Sequence, residues 1–196
     1  MSKDITLKVR HEVPGRERRW FIDCLTYHGN PRCTWQLLDD PKRGLVAPRV
    51  LHGTLDEVEE QLEAANAAGA GVFVTVNETD GLGRHEKNVV KVRALYVDID
   101  EPSGQPMNRL EAAVWHLPPD ILVLTKRGVH AYWAVEDCPL DKFKEFQKRL
   151  IRFYNSDPSV CDLPRVMRVA GFYHMKGDPH YVPVGDTQWH QYSTAD

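Results

Sequence analysis

Apolar residues recur along the first half of the chain with two periods, one typical of helices and one typical of strands. The clearest helix follows Thr54, because Thr54 and Glu57 have the spacing of a capping box and apolar residues recur at helical intervals until Gly69. A valine-rich apolar run before Asn77 predicts a buried strand. The pattern of this half predicts a helix at 17–27, a strand at 33–38, a helix between Thr54 and Gly69, a strand at 71–76 and a loop at 77–83.

The second half opens with an apolar strand that runs directly into two acids. Residues 89–100 are rich in β-branched and aromatic side chains and predict one central strand ending with Asp98 and Asp100. Further along, Gly128 stands in a short turn between two apolar runs and predicts an antiparallel hairpin, and Asp141 has the position of a helix cap. The other predicted elements are a turn at 102–106, a helix at 107–115, hairpin strands at 121–125 and 129–135, a helix with Phe143, Phe146, Leu150 and Phe153 on one face, and an extended segment at 158–169.

The order of these elements predicts an α+β fold. Strand, helix, hairpin, helix and strand in succession are typical of a small antiparallel sheet with helices on one face, of the RNA-recognition-motif type. Turn-forming residues are spread along the chain and mark no single linker. We therefore predict a single domain over 1–196, with an N-terminal α/β module at 1–88, an RNA-recognition-motif-like module at 89–178 and a C-terminal tail at 179–196.

Composition narrows the classes of protein that need to be considered. With 42% hydrophobic and 27% charged residues, the chain has the balance of an ordinary globular protein, so disorder is not expected. Its apolar runs are far shorter than the roughly 20 residues of a membrane span. The first residues lack a signal-peptide pattern, which predicts a cytoplasmic location. A net charge of −3 means that any nucleic-acid binding must depend on local basic patches.

Cysteine usage leaves one metal alternative open. The four cysteines are scattered without a Cys-x-x-Cys pair, which favours free thiols in a reducing compartment. Cys24, His28 and Cys33 could gather three zinc ligands, but their spacing matches no standard zinc finger, so zinc is the weaker alternative.

Asp98 and Asp100 form the most informative motif in the chain. Side chains alternate across a strand, so both carboxylates point to the same face, with Cα atoms about 6.5–7 Å apart. Two negative charges this close repel each other unless a cation lies between them, and hard cations such as Mg²⁺ and Mn²⁺ select carboxylate oxygens. A bare Asp-x-Asp pair is more often a solvated strand end than a metal site, so its interpretation depends on its neighbours.

Two later segments supply those neighbours. The hairpin turn brings a basic group and an imidazole, and the segment beyond the last helix brings a third acid and two arginines. Each residue alone has a structural explanation, since strand histidines are usually hydrogen-bonded and aspartates often cap turns. Together they predict one site for a divalent cation and phosphate groups. These residues are Lys126, Gly128 and His130 in the hairpin, and Asp162, Arg165 and Arg168 further on.

Taken together, these motifs resemble the archaeo-eukaryotic primase superfamily, and most closely the RepB-like primases and primase-polymerases of plasmids and phages. That family has an apolar strand ending in Asp-x-Asp, a Ser-x-His motif on a hairpin, and an acid in an arginine-rich segment. Gly128 stands where the family has serine, and Ala170 where it usually has proline. The resemblance covers residues 17–178 and includes the segments from Trp35 to Asp40, Val76 with Asn77, and Asp157 to Gly171.

The resemblance implies a DNA-dependent primase-polymerase that joins nucleotides on a single-stranded template by a two-metal mechanism. Its active site would lie in the cleft between the two modules. Asp98, Asp100 and Asp162 would bind two Mg²⁺ or Mn²⁺ ions, and His130 would hold the incoming nucleoside triphosphate. Further nucleotide contacts would come from Lys126, the Gly128 backbone N–H, Arg165, Arg168, Lys176 and Asn77. For Asn77, a turn-forming role is an equal alternative.

The expected partners are a single-stranded DNA template, a primer and nucleoside triphosphates. The last residues, 185–196, resemble no complete closing domain, so one hypothesis is that the chain is the front of a longer replication protein with a helicase module. The choice between ribonucleotides and deoxyribonucleotides, and the ability to start without a primer, depend on pocket shape and have no sequence signature here.

Other classes of protein remain as alternatives. A glycosyltransferase also places Asp-x-Asp after an apolar strand, but it leaves His130 and Asp162 unexplained. A replication-initiator nickase needs a close histidine pair, whereas His174 and His180 are separated by six positions. A nucleic-acid-binding module without catalysis would not need all three acids.

Overall fold

Two antiparallel sheets form the framework of the computed structural model, which describes residues 13–27, 29–42, 44, 46–100 and 117–185. The described helices are α1 (Pro14–Leu25), α2 (Leu55–Ala67) and α3 (Leu140–Tyr154). The described strands are β1 (Cys33–Asp39), β2 (Arg49–Gly53), β3 (Ala70–Thr75), β4 (Glu78–Thr79), β5 (Val89–Lys91), β6 (Ala94–Asp100), β7 (Ile121–Leu124), β8 (Gly128–Ala134), β9 (Val166–Arg168), β10 (Tyr173–His174) and β11 (His180–Tyr181).

The first sheet has the strand order β2-β1-β3-β9. Side chains that alternate onto one of its faces, such as Trp35 and Val72, share a buried core with Phe21 of α1 and Leu62 of α2. Its last strand, β9, comes from far along the chain and pairs antiparallel with β3. The final strand expected for the RNA-recognition-motif-like sheet therefore lies in the other sheet, and it links the two halves of the sequence.

The second sheet has the order β6-β8-β7, and the two antiparallel strands β7 and β8 form the predicted hairpin. One face carries Val97 and Trp133, which pack against Leu150 of α3. Because the pleat alternates, the opposite face carries Asp98 and His130, which are direct partners in the register of β6 and β8. On this second face, Tyr96, Tyr132 and Val123 pack into the larger core, and the polar groups lie at the end of β6.

Among the described strands, β6 lies at the edge of its sheet, although its sequence predicted a central strand. Its outer edge is closed by groups that follow it in the sequence. The side chain of Gln147 in α3 accepts a hydrogen bond from the Tyr96 backbone N–H at 3.1 Å and donates another to the Tyr96 carbonyl. The backbone N–H of Asp157 donates to the Asp98 carbonyl at 3.1 Å. The free edge of β6 is thus occupied, and Asp157 is held beside Asp98.

The run 89–100 is not one strand, as predicted, but two. β5 pairs with β4 in a separate small ribbon, and β6 belongs to the second sheet. The break falls at Arg93, whose backbone N–H donates to the side-chain oxygen of Asn77 at 3.1 Å. This bond between backbone and side chain lies where the chain passes from the β4–β5 ribbon to the second sheet. The strand propensity of residues 89–100 does not predict it.

The helix after Thr54 is confirmed, including its capping box with Glu57 and its end before Gly69, which has a φ of +106°. In α3, Pro139 occupies the N-cap position without a side-chain hydrogen bond, so the prediction that Asp141 caps this helix was wrong. Asp141 lies instead in the first turn, where its charge still favours the helix N-terminus.

Two further predictions about helices need correction. α1 begins at Pro14, where proline suits a first turn, and not at residue 17. Phe153 does not lie on the buried face of α3, because its side chain is 60% exposed. The buried face instead consists of Phe143, Gln147, Leu150, Ile151 and Tyr154.

The predicted turn at 102–106, the helix at 107–115, His28 and the tail from 186 onward lie outside the described residues. Among the residues that are described, no helix combines the length and apolar character needed to cross a membrane.

Candidate active site

A cavity of about 210 Å³ lies between the two sheets. The second sheet provides its acidic wall, and strands β3 and β9 of the first sheet provide the facing wall. The remaining lining comes from the hairpin turn, the segment after α3 and β10. The lining residues are Phe73, Asp98, Asp100, Thr125, Arg127, His130, Asp157, Val160, Arg165, Val166, Met167, Arg168 and His174.

Asp98 and Asp100 face this cavity from the end of β6, as their alternation predicted. Burial raises the pKa of the Asp98 carboxyl to about 6, with added contributions from the charges of Asp100 and Asp157. The more exposed Asp100 is paired with Arg127, whose Nη2 lies 2.9 Å from its Oδ2. The charges of Asp100 and Asp157 thus oppose the ionisation of Asp98, and a divalent cation would remove this penalty.

His130 is a buried neighbour of these acids. Its Nε2 lies 3.7 Å from Oδ1 of Asp98, and its Nδ1 lies 3.5 Å from the Tyr132 hydroxyl. Burial, reinforced by the charge of Arg168, lowers the pKa of His130 to about 3. The imidazole is therefore neutral at physiological pH and carries one N–H that can be donated to an anionic ligand.

The structure places Asp157, and not Asp162, on the wall of the cavity. Asp157 follows α3, and its carboxylate accepts hydrogen bonds from the backbone N–H and the hydroxyl of Ser159. The carboxylate of Asp162 is directed to Arg165, with Oδ1 2.5 Å from Nη2. In the sequence, Asp157 stands only at the start of a segment that resembles the primase family, and it was not predicted as a site residue. The signal that it lies beside the paired aspartates is the hydrogen bond from its backbone N–H to Asp98 in β6.

Two predicted arginines line the cavity and are both held by other groups. Arg165 is paired with Asp162 and also donates to the carbonyl of Ser159. Arg168 forms a two-pronged ion pair with Asp40, with Nη1 2.8 Å from Oδ2 and Nη2 3.0 Å from Oδ1. Both guanidinium groups are therefore fixed in place before any ligand binds.

The structure does not bring the remaining predicted residues to the cavity wall. Lys126 donates to the carbonyls of Lys176 and Asp178, and the Lys176 side chain is exposed. Asn77 is buried and uses its side chain to bridge Leu163 and Arg93, which is a structural role. None of these residues lines the cavity.

Gly128 also lies outside the cavity lining, and packing explains why glycine is needed there. A Cβ atom at this position would lie 1.8 Å from the carbonyl oxygen of Ile99, which is backbone and cannot move aside. The close approach of β8 to β6 at the Asp100 register position therefore excludes any larger residue.

Several residues of the cavity were not predicted as site residues. Arg127, His174 and Phe73 line it, together with Asp157. Arg127 is adjacent to Lys126 in the same turn, which could have suggested it. Phe73 and His174 reach the cavity only through the pairing of β3 with β9 and of β10 with β11.

The residues present suit a divalent cation, although they do not form a compact ligand set in this conformation. Within the described parts of the chain, no three histidine, cysteine or acidic side chains lie close enough together to hold a metal ion. For the zinc alternative, Cys24 and Cys33 are buried cysteines outside any disulfide, and its third residue lies outside the described chain. The chemical fit of the cavity therefore rests on its three carboxylates and the raised pKa of Asp98.

No protein-family model matches the chain, and no curated protein matches it.

Comparison of structures gives a clear result. The chain is similar to the archaeo-eukaryotic primase domain of the cyanophage S-2L primase-polymerase, with a TM-score of 0.72 and 20% identity over 91% of this chain and 93% of the other. It is also similar to the catalytic domain of primase RepB′ in a complex with initiator DNA, with a TM-score of 0.63 and 18% identity over 92% and 88% of the two chains. A second RepB′ crystal structure gives a TM-score of 0.62 and 19% identity, with 89% of this chain covering 56% of that one.

These similarities show the fold. The chain has the α+β fold of the catalytic domains of archaeo-eukaryotic-type primases and primase-polymerases, as the resemblance of its motifs implied. The cavity with its paired aspartates lies between the two sheets of that fold.

Proposed function

We propose that this chain is a DNA-dependent primase-polymerase domain that joins nucleotides on a single-stranded template. The observation that carries the proposal is the position of Asp98 and Asp100, which share one cavity with Asp157 and His130 in a fold known from primases and primase-polymerases. In the proposed reaction, the 3′-hydroxyl oxygen of a primer or first nucleotide bonds to the α-phosphorus of a nucleoside triphosphate. The bond to the bridging oxygen breaks, pyrophosphate leaves, and the proton of the hydroxyl group passes to solvent.

Two Mg²⁺ or Mn²⁺ ions, when bound, would lower the pKa of the attacking hydroxyl and stabilise charge on the leaving pyrophosphate. Asp98 and Asp100 would hold them. For the third ligand we propose Asp157 in place of Asp162, because Asp157 lines the cavity and Asp162 is turned toward Arg165. Asp100 would exchange its contact with Arg127 for a metal ion, which leaves Arg127 available for a phosphate group.

The other cavity residues suit the nucleotide's phosphates. A neutral His130 can donate its N–H without the cost of desolvating a charge, and it lies next to the carboxylate that would bind the metal. Arg165 and Arg168 present guanidinium groups, which match phosphate oxygens in geometry and charge. Lys126 and Lys176 would contribute only through their longer-range positive charge.

A single-stranded DNA template and a primer are the proposed macromolecular partners. Among the similar structures, primase RepB′ was solved in a complex with initiator DNA. A helicase module in a longer replication protein remains part of the same proposal. The shared fold also makes a glycosyltransferase the weaker alternative, and hydrolysis of a sugar nucleotide would be its signature.

The direct test incubates the protein with single-stranded DNA, mixed nucleotides and Mg²⁺ or Mn²⁺, with and without primer, and sizes the products. We expect template-dependent extension that Asp98→Ala and Asp100→Ala each abolish. Asp178→Ala removes an exposed acid outside the cavity and serves as the matched control, with activity expected to stay at the wild-type level. Full activity of either Asp98→Ala or Asp100→Ala would refute the assignment of the metal ligands.

A further inference from the structure

Asp40 lies in the turn after β1 and is not part of the cavity wall, yet it is tied to that wall in two places. Its carboxylate holds the guanidinium of Arg168 through two hydrogen bonds, and Oδ2 also accepts the backbone N–H of Met175 at 2.9 Å. Arg168 lines the cavity, and Met175 follows His174, which lines it as well. One carboxylate from the first half of the chain therefore organises two pieces of wall that come from the second half.

This ion pair is buried, with side-chain exposures of 8% for Asp40 and 10% for Arg168. Burying a charged pair is costly unless its geometry is good, and a two-pronged guanidinium–carboxylate contact is the geometry that satisfies both groups. The guanidinium carbon of Arg168 also lies 4.5 Å from the centroid of the Phe73 ring, which fixes the plane of the group from one side.

Gly71 provides the space that Asp40 occupies. A Cβ atom on Gly71 would lie 2.5 Å from Oδ1 of Asp40 and 2.8 Å from the ring of Phe73. Any side chain at this position of β3 would therefore displace either the carboxylate or the ring that hold Arg168. Gly71, Asp40 and Phe73 together determine where the guanidinium can lie.

Arg168 has five N–H groups, of which Asp40 engages two. The remaining three include Nε–H, and because Arg168 lines the cavity, these are the groups that we expect a ligand there to engage. An unrestrained arginine side chain loses conformational entropy when it binds a phosphate group. The Arg168 side chain is already fixed by Asp40 and would lose little.

We propose that Asp40 is a positioning residue that prepares Arg168 to bind the phosphates of the incoming nucleotide. This inference rests on the proposed function, because it takes a nucleoside triphosphate as the ligand of the cavity. Asp40 itself does not touch the nucleotide. Its effect passes through Arg168, while its bond to Met175 keeps the His174 segment against the same wall.

Asp40→Asn is the sharpest variant for a test. Asparagine at this position can still accept the N–H of Met175 and one N–H of Arg168, but its amide group then faces the second guanidinium nitrogen as donor against donor. The variant therefore disrupts the two-pronged contact and preserves the link to Met175. Asp39→Asn removes the same charge one residue earlier and is the matched control, since its amide oxygen can still accept the Gly44 N–H.

The measurement is the affinity for a non-hydrolysable nucleoside triphosphate in Mg²⁺, beside the affinity for single-stranded DNA. We expect Asp40→Asn to weaken nucleotide binding roughly tenfold, with DNA binding and the Asp39→Asn control unchanged. In an Arg168→Lys background, where no two-pronged pair can form, Asp40→Asn should change nucleotide affinity less than twofold. That loss of effect distinguishes positioning through Arg168 from a general weakening of the fold.

Gly71→Ala provides a second route that keeps every charge and shifts the carboxylate, and we expect it to weaken nucleotide binding in the same direction. If the wild-type protein binds nucleotide and both Asp40→Asn and Gly71→Ala bind it equally well, the positioning role is wrong. A full effect of Asp40→Asn in the Arg168→Lys background would also overturn it. If the wild-type protein binds no nucleotide, the proposed function itself fails, and the positioning role fails with it.

Discussion

At the scale of single residues, Asp98 and His130 show how burial tunes neighbouring groups in opposite directions. Burial, aided by nearby acids, raises the pKa of Asp98 to about 6, and burial, aided by Arg168, lowers the pKa of His130 to about 3. Both shifts favour the neutral forms of two groups in which Nε2 of His130 lies 3.7 Å from Oδ1 of Asp98. The ionised form of Asp98 therefore carries an electrostatic penalty that a bound cation would remove.

These opposite shifts predict opposite effects of pH on stability. Between about pH 6.5 and 3 the unfolded chain takes up a proton on residue 130 that the folded chain refuses, so His130 lowers stability as the pH falls. Between about pH 6 and 4 the folded chain instead retains a proton on Asp98 that the unfolded chain releases, so Asp98 raises stability as the pH falls.

We therefore expect His130→Gln to gain stability relative to wild type when the pH drops from 7 to 5, and Asp98→Asn to lose it. Urea denaturation in the presence of EDTA at both pH values measures this difference. Equal pH responses of the two variants would show that the burial of these groups does not control their ionisation.

The identity of the third acidic metal ligand is the residue assignment on which the sequence prediction and the structure differ most. Asp157→Asn keeps an oxygen that can accept the Ser159 N–H, so its turn should persist while the charge at the cavity is lost. We expect this variant to lose at least about 100-fold in nucleotide incorporation, because a metal ligand is removed.

Asp162→Asn is the matched comparison and should lose less than about tenfold, since it affects only the support of Arg165. Incorporation rates measured across a range of Mn²⁺ concentrations distinguish the two variants. The reverse order of losses would restore Asp162 as the ligand.

At the scale of elements, the edge of β6 determines where the third acid lies. Gln147 is buried and binds both backbone groups of Tyr96, and it also donates to the Val160 carbonyl at 2.8 Å. This one side chain joins α3 to β6 and to the segment that carries Asp157. Sequence periodicity predicted the helix α3, although it placed the exposed Phe153 on the buried face. A polar residue at a core position, such as Gln147, has no such signature, because its partners come from distant parts of the chain.

Replacing Gln147 should therefore loosen this edge. We expect Gln147→Leu to lower the free energy of unfolding by about 2–4 kcal/mol, because it leaves buried backbone groups of Tyr96 and Val160 without partners. Lys148→Leu, one residue further on the exposed face, is the control and should change stability by less than about 0.5 kcal/mol.

Urea denaturation gives the free energies of unfolding. The hydrogen-exchange rate of the Tyr96 amide reports on the edge of β6 locally, and it should increase in Gln147→Leu and not in Lys148→Leu. Equal stability of both variants, with unchanged exchange at Tyr96, would show that the edge of β6 does not depend on Gln147.

At the scale of the whole molecule, local patterns in the sequence predicted the α+β class, the hairpin and the face of β6 that carries the acids. They did not predict that β9 returns to pair with β3, since strand pairing over such a distance depends on the packing of the complete fold. That pairing brings Arg168 and Phe73 opposite Asp98 and forms the cavity from both sheets. Among the cavity residues that the sequence did not predict, Phe73 is placed by this long-range pairing, whereas Arg127 and Asp157 lie next to the second sheet, in the hairpin turn and beside β6.

Because both sheets line the cavity, ligands bound there should stabilise the whole fold. A ligand present at about 100 times its dissociation constant adds about 2.7 kcal/mol, which for a chain of this size corresponds to a rise in Tm of roughly 5–10 °C. We expect Mn²⁺ with a non-hydrolysable nucleoside triphosphate to produce such a rise, and EDTA to reverse it.

The double variant Asp98→Asn/Asp100→Asn should abolish the rise, whatever its own starting Tm, because its cavity no longer holds the cation. Asp141→Asn/Asp178→Asn removes the same number of acids from exposed positions outside the cavity and should keep the full rise. Differential scanning calorimetry of the three proteins, each with and without ligand, separates ligand binding from intrinsic stability. An undiminished rise in the cavity variant would place the cation elsewhere on the molecule.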